Sequence, residues 1–423
     1  MLVLENQALF FNNYFKNDII KLMNKERMNS MQLGLLNLSA LNANEEVVNA
    51  TSKTLINAIT KALGVNFKKI TINTWDSTEL NIIFIRTGGV EQEFLKITEK
   101  VKGPYYILTS NNSNSLAASL EVASYLRQKN EKFEIFEGDP EKIAERIKTI
   151  YKITMAKKSL KNTRLAMIGE ASDWLIASNM DEELLKAEYG IEVVHIPMEE
   201  FLIEVVTNFA SNDKLLRELM SKFPEKEVAK VFKVYGAFKS LIRKYKLDGV
   251  TIRCFDLIEK SKTTACIALA ILNKEGISAS CEGDLASLVS MHITRKLLNI
   301  SSFQANPCIL KEDELVLAHC TIPLDMVDKY TFDTHFESNQ GIAIVGEVKE
   351  QEATIFKISP KLDGYVAYET FITKCLKEKD LCRTQLAVKI DDDFCKYLLN
   401  NPYGNHHLVL LGHHKELLDE FFK

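Results

Sequence analysis

Carboxylates, imidazoles and amides collect in two short stretches of this sequence. One runs Ser278-Ala279-Ser280-Cys281-Glu282-Gly283-Asp284, and the other is Tyr403-Gly404-Asn405-His406-His407. Seven of the eight histidines lie between His292 and the C-terminal end. Carboxylate, amide and imidazole donors together suit a hard divalent cation such as Mn2+ or Mg2+. A thiolate-rich zinc site would ask for closely paired cysteines, and Cys375 and Cys382 are too far apart for that.

The residues that lead into Glu282 read as a strand, Ile277 to Cys281, and an apolar β-branched run from Val250 to Phe255 reads as another. In open α/β sheets ligands gather outside the carboxyl ends of the strands, which puts Glu282 and Asp284 where chemistry is usually done. Asp284 has a second reading, as N-cap of a helix over Leu285–Leu298.

Upstream, strands and helices alternate: Leu33–Leu38, helix Glu45–Leu63, Leu80–Arg86, helix Glu91–Val101, Tyr105–Thr109, helix Ser115–Gln128, Phe133–Phe136 and helix Glu141–Ala156. Alternation of this kind implies a parallel sheet covered on both faces. The loops at Gly88–Glu91 and Ser110–Ser115 open helices and could hold a hydroxyl or anion, but without a phosphate fingerprint they read first as turn and cap chemistry. A second α/β unit starts at Arg164–Gly169 and continues through Ile191–Ile196. Beyond Asn299 the period becomes that of short strands with turns, at Glu314–His319, Gly341–Val348, Glu352–Ile358, Gly364–Phe371 and Arg383–Ile390, closed by a helix over His414–Phe422. The expected fold is therefore two doubly wound α/β domains, 1–160 and 161–300, followed by an antiparallel β-barrel-like domain, 301–423.

Bulk properties narrow the class. A chain of 423 residues is too long for one ordinary core. With 46% apolar and 26% charged residues it is composed like a soluble globular protein. A net charge of −4 without a basic block argues against nucleic acid as partner. No apolar run is long enough for a bilayer and no secretion signal is read, so neither membrane nor export is expected. Eight cysteines without paired spacing suit a reducing cytoplasm. Met28 and Met31 precede the first good strand, so residues 1 to 30 read as a start-site extension.

Individual residues each carry a functional and a plain reading. Trp174, in Ser172-Asp173-Trp174-Leu175-Ile176, could stack on a sugar or pack in the core beside a capped helix. His195, within an apolar strand, reads as a satisfied core histidine. His335 beside Glu337 could contact substrate or form a surface pair. His413-His414 reads as solvent-facing or capping, and Asp391 to Asp393 as a solvated turn.

Several motifs, in order, resemble those of the L-fucose isomerase and L-arabinose isomerase superfamily, in particular its shorter L-fucose isomerase-like branch. They are Gly88-Gly89-Val90-Glu91, Asn114-Ser115-Leu116-Ala117-Ala118-Ser119, Ser172-Asp173-Trp174-Leu175-Ile176, Glu282-Gly283-Asp284, Leu317-Ala318-His319-Cys320-Thr321-Ile322-Pro323, Thr334-His335-Phe336-Glu337-Ser338, Cys382-Arg383-Thr384-Gln385 and Asn405-His406-His407. The resemblance covers the chain from about Leu33 onward. It implies two α/β domains and a β-barrel-like domain, a Mn2+-dependent aldose–ketose isomerase acting on a small sugar, and a homo-oligomer, often a hexamer, with sites shared between subunits. It also implies that Glu282 is the first metal carboxylate, that His406 or His407 is the C-terminal metal histidine, and that His319 joins them. Trp174, His335 and Asn405 are the substrate-side candidates.

One departure stands out. The second metal carboxylate of the fucose-type motif falls on Asn306, and the arabinose-type alignment through Phe303 falls on Ala305. Isomerisation through an enediol needs a cation to polarise oxygens and a base to move a proton between C1 and C2. Asn306 can give a carbonyl oxygen to a cation but cannot take a proton. Asp284, two residues from Glu282, is the substitute base. Without one, the expectation shifts to a sugar-binding homologue without turnover, or to another metal-assisted reaction on a sugar acid or ketose.

Overall fold

The structure, a computed structural model, describes residues 31–423 apart from residue 211, so the extension expected over residues 1 to 30 lies outside the described residues. The described residues divide into two compact units, with the boundary between Met155 and Ala156. In the first, strands β1 (Leu33–Leu38), β2 (Phe67–Lys69), β3 (Leu80–Ile85), β4 (Tyr105–Leu108) and β5 (Phe133–Phe136) form a parallel sheet ordered β2-β1-β3-β4-β5. Every residue of β3 is buried, as a strand covered on both faces requires. The loop at Ser110–Ser115 is used up locally: Ser115 Oγ accepts from Ser110 N at 2.9 Å, sits 2.9 Å from Thr109 Oγ1 and donates to the Ile85 carbonyl.

The second unit begins with another parallel sheet, β6 (Arg164–Ile168), β7 (Glu192–Ile196), β8 (Gly249–Ile252) and β9 (Ser278–Cys281), ordered β7-β6-β8-β9. The chain leaves β6 toward both sides, so a crevice opens at the carboxyl ends of β6 and β8. The strand expected over Val250–Phe255 ends earlier, because Arg253 turns the chain into a helix over Cys254–Ser261. Its buried residues Cys254, Leu257 and Ile258 follow helical, not alternating, spacing. His195 is not a core histidine: β7 is an edge strand, and the exposed ring binds Glu182 at 2.8 Å.

Eight further strands follow: β10 (Phe303–Leu310), β11 (Glu314–His319), β12 (Lys329–Asp333), β13 (Ala343–Glu347), β14 (Gln351–Ile358), β15 (Tyr365–Cys375), β16 (Thr384–Lys389) and β17 (His407–Leu411). Six of them close an antiparallel barrel in the order β10-β11-β16-β15-β14-β17, and β12 pairs with β13 beside it. Phe303 and Ala305, Leu315 and Leu317, Ala353 and Ile355, Leu386 and Val388 recur at every second position and share one apolar core with the second sheet. The expected architecture of parallel α/β sheets followed by an antiparallel barrel is the one observed. Asp391 to Asp393 is not a turn, however. Asp391 caps a helix over Asp392–Asn400 by accepting from Phe394 N at 2.9 Å, and the acids that follow complement the dipole of its first turn. No helix among the described residues is long and apolar enough to cross a membrane.

Candidate metal centre

The backbone positions Glu282 before its side chain does anything. Strand β9 ends at Cys281, Glu282 takes a left-handed φ of 64° and Gly283 follows at 69°. A non-glycine residue held there costs about 1–3 kcal/mol, a strain typical of functional sites. A Cβ on Gly283 would come within 2.8 Å of Ala171 Cα and closer still to the Glu170 carbonyl, so position 283 requires glycine. Ser172 N donates to the Glu282 carbonyl and Gly283 N to that of Ile252, both at 2.9 Å. From β10, the Gln304 amide grips both backbone groups of Cys281, accepting from its N–H at 2.7 Å and donating to its carbonyl at 3.3 Å. The sheet edge and the barrel are thus held in register where the carboxylate emerges.

His319 closes β11 and His406 stands just before β17. Their Nε2 atoms lie 3.4 and 3.6 Å from Glu282 Oε1, with the rings edge to face at 5.4 Å. Both Nε2 atoms are buried and neither makes a hydrogen bond. Each ring is fixed from behind: His319 Nδ1 meets Thr321 Oγ1 at 3.1 Å, and His406 Nδ1 meets Asp284 Oδ2 at 2.8 Å. Glu282 Oε2 accepts from Trp174 Nε1 at 2.6 Å. Two buried nitrogens without partners, aimed with a carboxylate at one point, would be costly unless something fills them. Glu282, His319 and His406 offer three donor atoms within 4.8 Å of one another, and this cluster could hold a metal ion.

Without a cation, a proton on His406 offsets part of that cost. Burial opposes ionisation of Glu282, but the two imidazoles hold its carboxyl well below the usual carboxylate range. Burial would likewise lower the His406 value, yet Asp284 and Glu282 outweigh it and push it up to about 9. Burial of Asp284 is offset by Lys357 and His406, which hold it well below its ordinary value.

Sequence-derived candidates separate accordingly. Asp284 is not free to act as a base on substrate. It is fully buried as the N-cap of the helix Leu285–Leu298, with Oδ1 accepting from Ser287 N and Oδ2 surrounded by Ser287 Oγ, His406 and Lys357. His407 is turned elsewhere: Nδ1 lies 3.1 Å from the Asn405 carbonyl and Nε2 lies 2.8 Å from Tyr397 Oη, so of the histidine pair the cluster takes His406. Asn306 Oδ1 accepts from Asn405 Nδ2 at 3.2 Å, which ties two candidates to each other. Trp174 is 48% exposed, so the core-packing alternative does not hold. Its ring meets Phe255 edge-on at 4.8 Å, Phe255 meets His335 at 5.8 Å, and an aromatic wall runs from Glu282 to the loop that carries His335. On that loop, Glu337 feels the site: partial burial raises its carboxyl above the usual range, His335 pulls it down, and Glu282 and Cys320 push it up again.

Sequence reasoning missed Lys357 and Gln304. A lysine in Ile355-Phe356-Lys357-Ile358 reads as the solvent side of a strand, and a lone glutamine gives no signal at all. Thr321, by contrast, sits inside the motif that carries His319 and could have been named from it.

No family model matches the chain. Among curated proteins it is similar to the sulfoquinovose isomerase of Priestia aryabhattai, 25% identical over 280 residues that cover 60% of each chain. It is also similar to that of a Clostridium species, 23% identical over 328 residues covering 72% of this chain and 73% of the relative. A third similar protein, from Alkalicoccus urumqiensis, bears the same name and is 22% identical over 274 residues, 60% of each chain. The chain thus spans about 60% of the length of the Priestia and Alkalicoccus relatives.

Proposed function

We propose that this chain is a metal-dependent sugar isomerase that interconverts an aldose and its 2-ketose through an enediol. The observation that carries the reading is the convergence of the Glu282 carboxylate with the two unpartnered, buried Nε2 atoms of His319 and His406. Its place at the carboxyl end of β9, beside an open tryptophan, supports a small-molecule site. The printed names of the similar proteins support a sugar substrate, and sulfoquinovose is the first to test. The cation we assign is Mn2+ or another hard divalent ion. We place the protein in the cytoplasm as a homo-oligomer, on the resemblance described above.

A hard divalent cation held there would supply polarisation of the sugar's carbonyl and hydroxyl oxygens. Glu282, His319 and His406 are the residues that would hold it. Glu282 keeps its carboxylate ionised and pinned by the Trp174 N–H, which suits a ligand to the cation. Position 306 supplies no second carboxylate, and we assign the proton-carrying role to Glu337. Support for this lies in its raised pKa, which brings it nearer the operating pH of a general acid or base, and in its coupling to Glu282. Trp174 and Phe255 give the sugar ring an apolar face to lie against.

The test is NMR of Mn2+-loaded protein with an aldose panel in D2O, sulfoquinovose included. Ketose formation or deuterium at C2, lost in Glu282→Gln, is the expected outcome. A second reading, sugar binding without turnover, is favoured by the Asn306–Asn405 pair at the position of the family's second carboxylate. Calorimetric sugar binding with no ketose and no exchange across the panel would decide for it.

A further inference from the structure

A lysine with no exposed surface needs a reason, and Lys357 has one that acts on the metal centre. It lies on β14 two residues on from Ile355, part of the barrel core, and is fully buried. Lys357 Nζ donates to Ser287 Oγ at 2.9 Å and lies 3.4 Å from Asp284 Oδ2. Ser287 Oγ is 2.7 Å from Asp284 Oδ2, Ser287 N is 2.7 Å from Asp284 Oδ1, and His406 Nδ1 is 2.8 Å from Oδ2.

The direction of every bond in this network follows from the group at its end. An ammonium has only protons to give, and an ionised carboxylate has only lone pairs. The Ser287 hydroxyl therefore accepts from Lys357 and must spend its own proton on Asp284. Asp284 is surrounded by donors, so the remaining neighbour, His406 Nδ1, must carry its hydrogen toward it. Only then is Nε2 left to face Glu282 and His319. A Ser287 hydroxyl released from Lys357 could turn its proton elsewhere, and the polarity of the chain would no longer be imposed.

We propose that Lys357 is a positioning residue for the metal centre: through Ser287 and Asp284 it fixes the ring orientation and tautomer that let His406 present Nε2. This rests on the metal reading given above. Outer partners of a ligating histidine typically contribute 10–100-fold in metal affinity. Lys357→Met in the full chain should therefore weaken Mn2+ binding by about 10–100-fold in calorimetry. Proton NMR of the metal-free protein above about pH 9, where His406 is neutral and one ring nitrogen alone carries a hydrogen, supplies an independent readout, since the His406 Nδ1–H should give an exchange-protected downfield signal that Lys357→Met loses or broadens. Both readouts must move together. If either moves alone, or neither moves in a folded variant, the proposal is wrong. Ser287→Ala, which keeps both charges and removes the bridging hydroxyl, serves if Lys357→Met does not fold. Should wild-type protein bind no Mn2+, the metal reading falls, while the Nδ1–H signal in wild type and variant still decides what Lys357 does.

Discussion

Raising the pH from 6.5 to 9 in the absence of metal should destabilise this protein, against the usual trend for carboxylate-rich folds. The cause is His406, whose imidazolium is stabilised between Asp284 and Glu282 despite burial, so that its value rises from 6.5 to about 9. A histidine raised on folding contributes stability that is fully present below 6.5 and is lost as pH climbs through about 9. At roughly 1.4 kcal/mol for each pH unit between those values, the loss amounts to about 3 kcal/mol. Other buried histidines do not compete in this window. His292 is lowered to about 3 and His407 to about 4, so both contribute above 6.5 and lose that contribution only as pH falls. Glu282 and Asp284, held low, likewise act on the acid side. Guanidinium unfolding followed by circular dichroism, with chelator present, measures the slope. With Mn2+ present the slope should reverse, because the cation needs the Nε2 lone pair, and apparent affinity should climb about tenfold per pH unit up to about 9. Lys357 and Cys320, both held below their ordinary values, act in the opposite direction here, so the decisive quantity is the part of the slope that His406→Gln removes; a slope unchanged by that substitution would refute the assignment of a charged His406 bridging the two carboxylates.

Four substitutions test other parts of the argument. Glu282→Gln should weaken Mn2+ binding by more than the roughly 10–100-fold expected for an outer partner; unchanged calorimetry would remove Glu282 from the ligand set. Gly283→Ala should lower stability by at least about 1–3 kcal/mol from left-handed strain, and more from contact with Glu170 and Ala171, as chemical denaturation would show. Glu337→Gln should cut kcat by about 10²–10⁴-fold while leaving Mn2+ affinity unchanged, and an unaffected kcat in the D2O assay would dismiss it as a proton carrier. Asp391→Ala should cost about 1 kcal/mol through the lost cap, with the metal centre indifferent; a coupled loss of Mn2+ binding would show that the helix matters to the site.

Periodicity made the frame legible. Apolar runs such as Leu80–Ile85 and Arg164–Ile168 announce buried parallel strands because both faces must be covered. The same logic misled at Val250–Phe255, where a short apolar run is shared by a strand end and the first turn of a helix. Glu282, His319 and His406 were legible as residue types in motifs. What could not be read was which of two adjacent histidines faces the carboxylate, since that depends on how the chain enters β17. Asp284 was readable in either of two roles, and the fold assigns it the cap while using its second oxygen to hold His406. Lys357 escaped altogether, because a buried charge is recognised only when its partner, 73 residues away in sequence, is seen beside it.

Barrel closure has a temporal consequence. Glu282 leaves the sheet, His319 ends the second barrel strand, and His406 comes immediately before β17, the strand that pairs with both β10 and β14 to complete the ring. As the chain emerges from the ribosome, sheet and early barrel strands can collapse first, while the third donor and the closing strand arrive together. The three-donor cluster therefore cannot be complete until the residues that introduce the closing strand have been made.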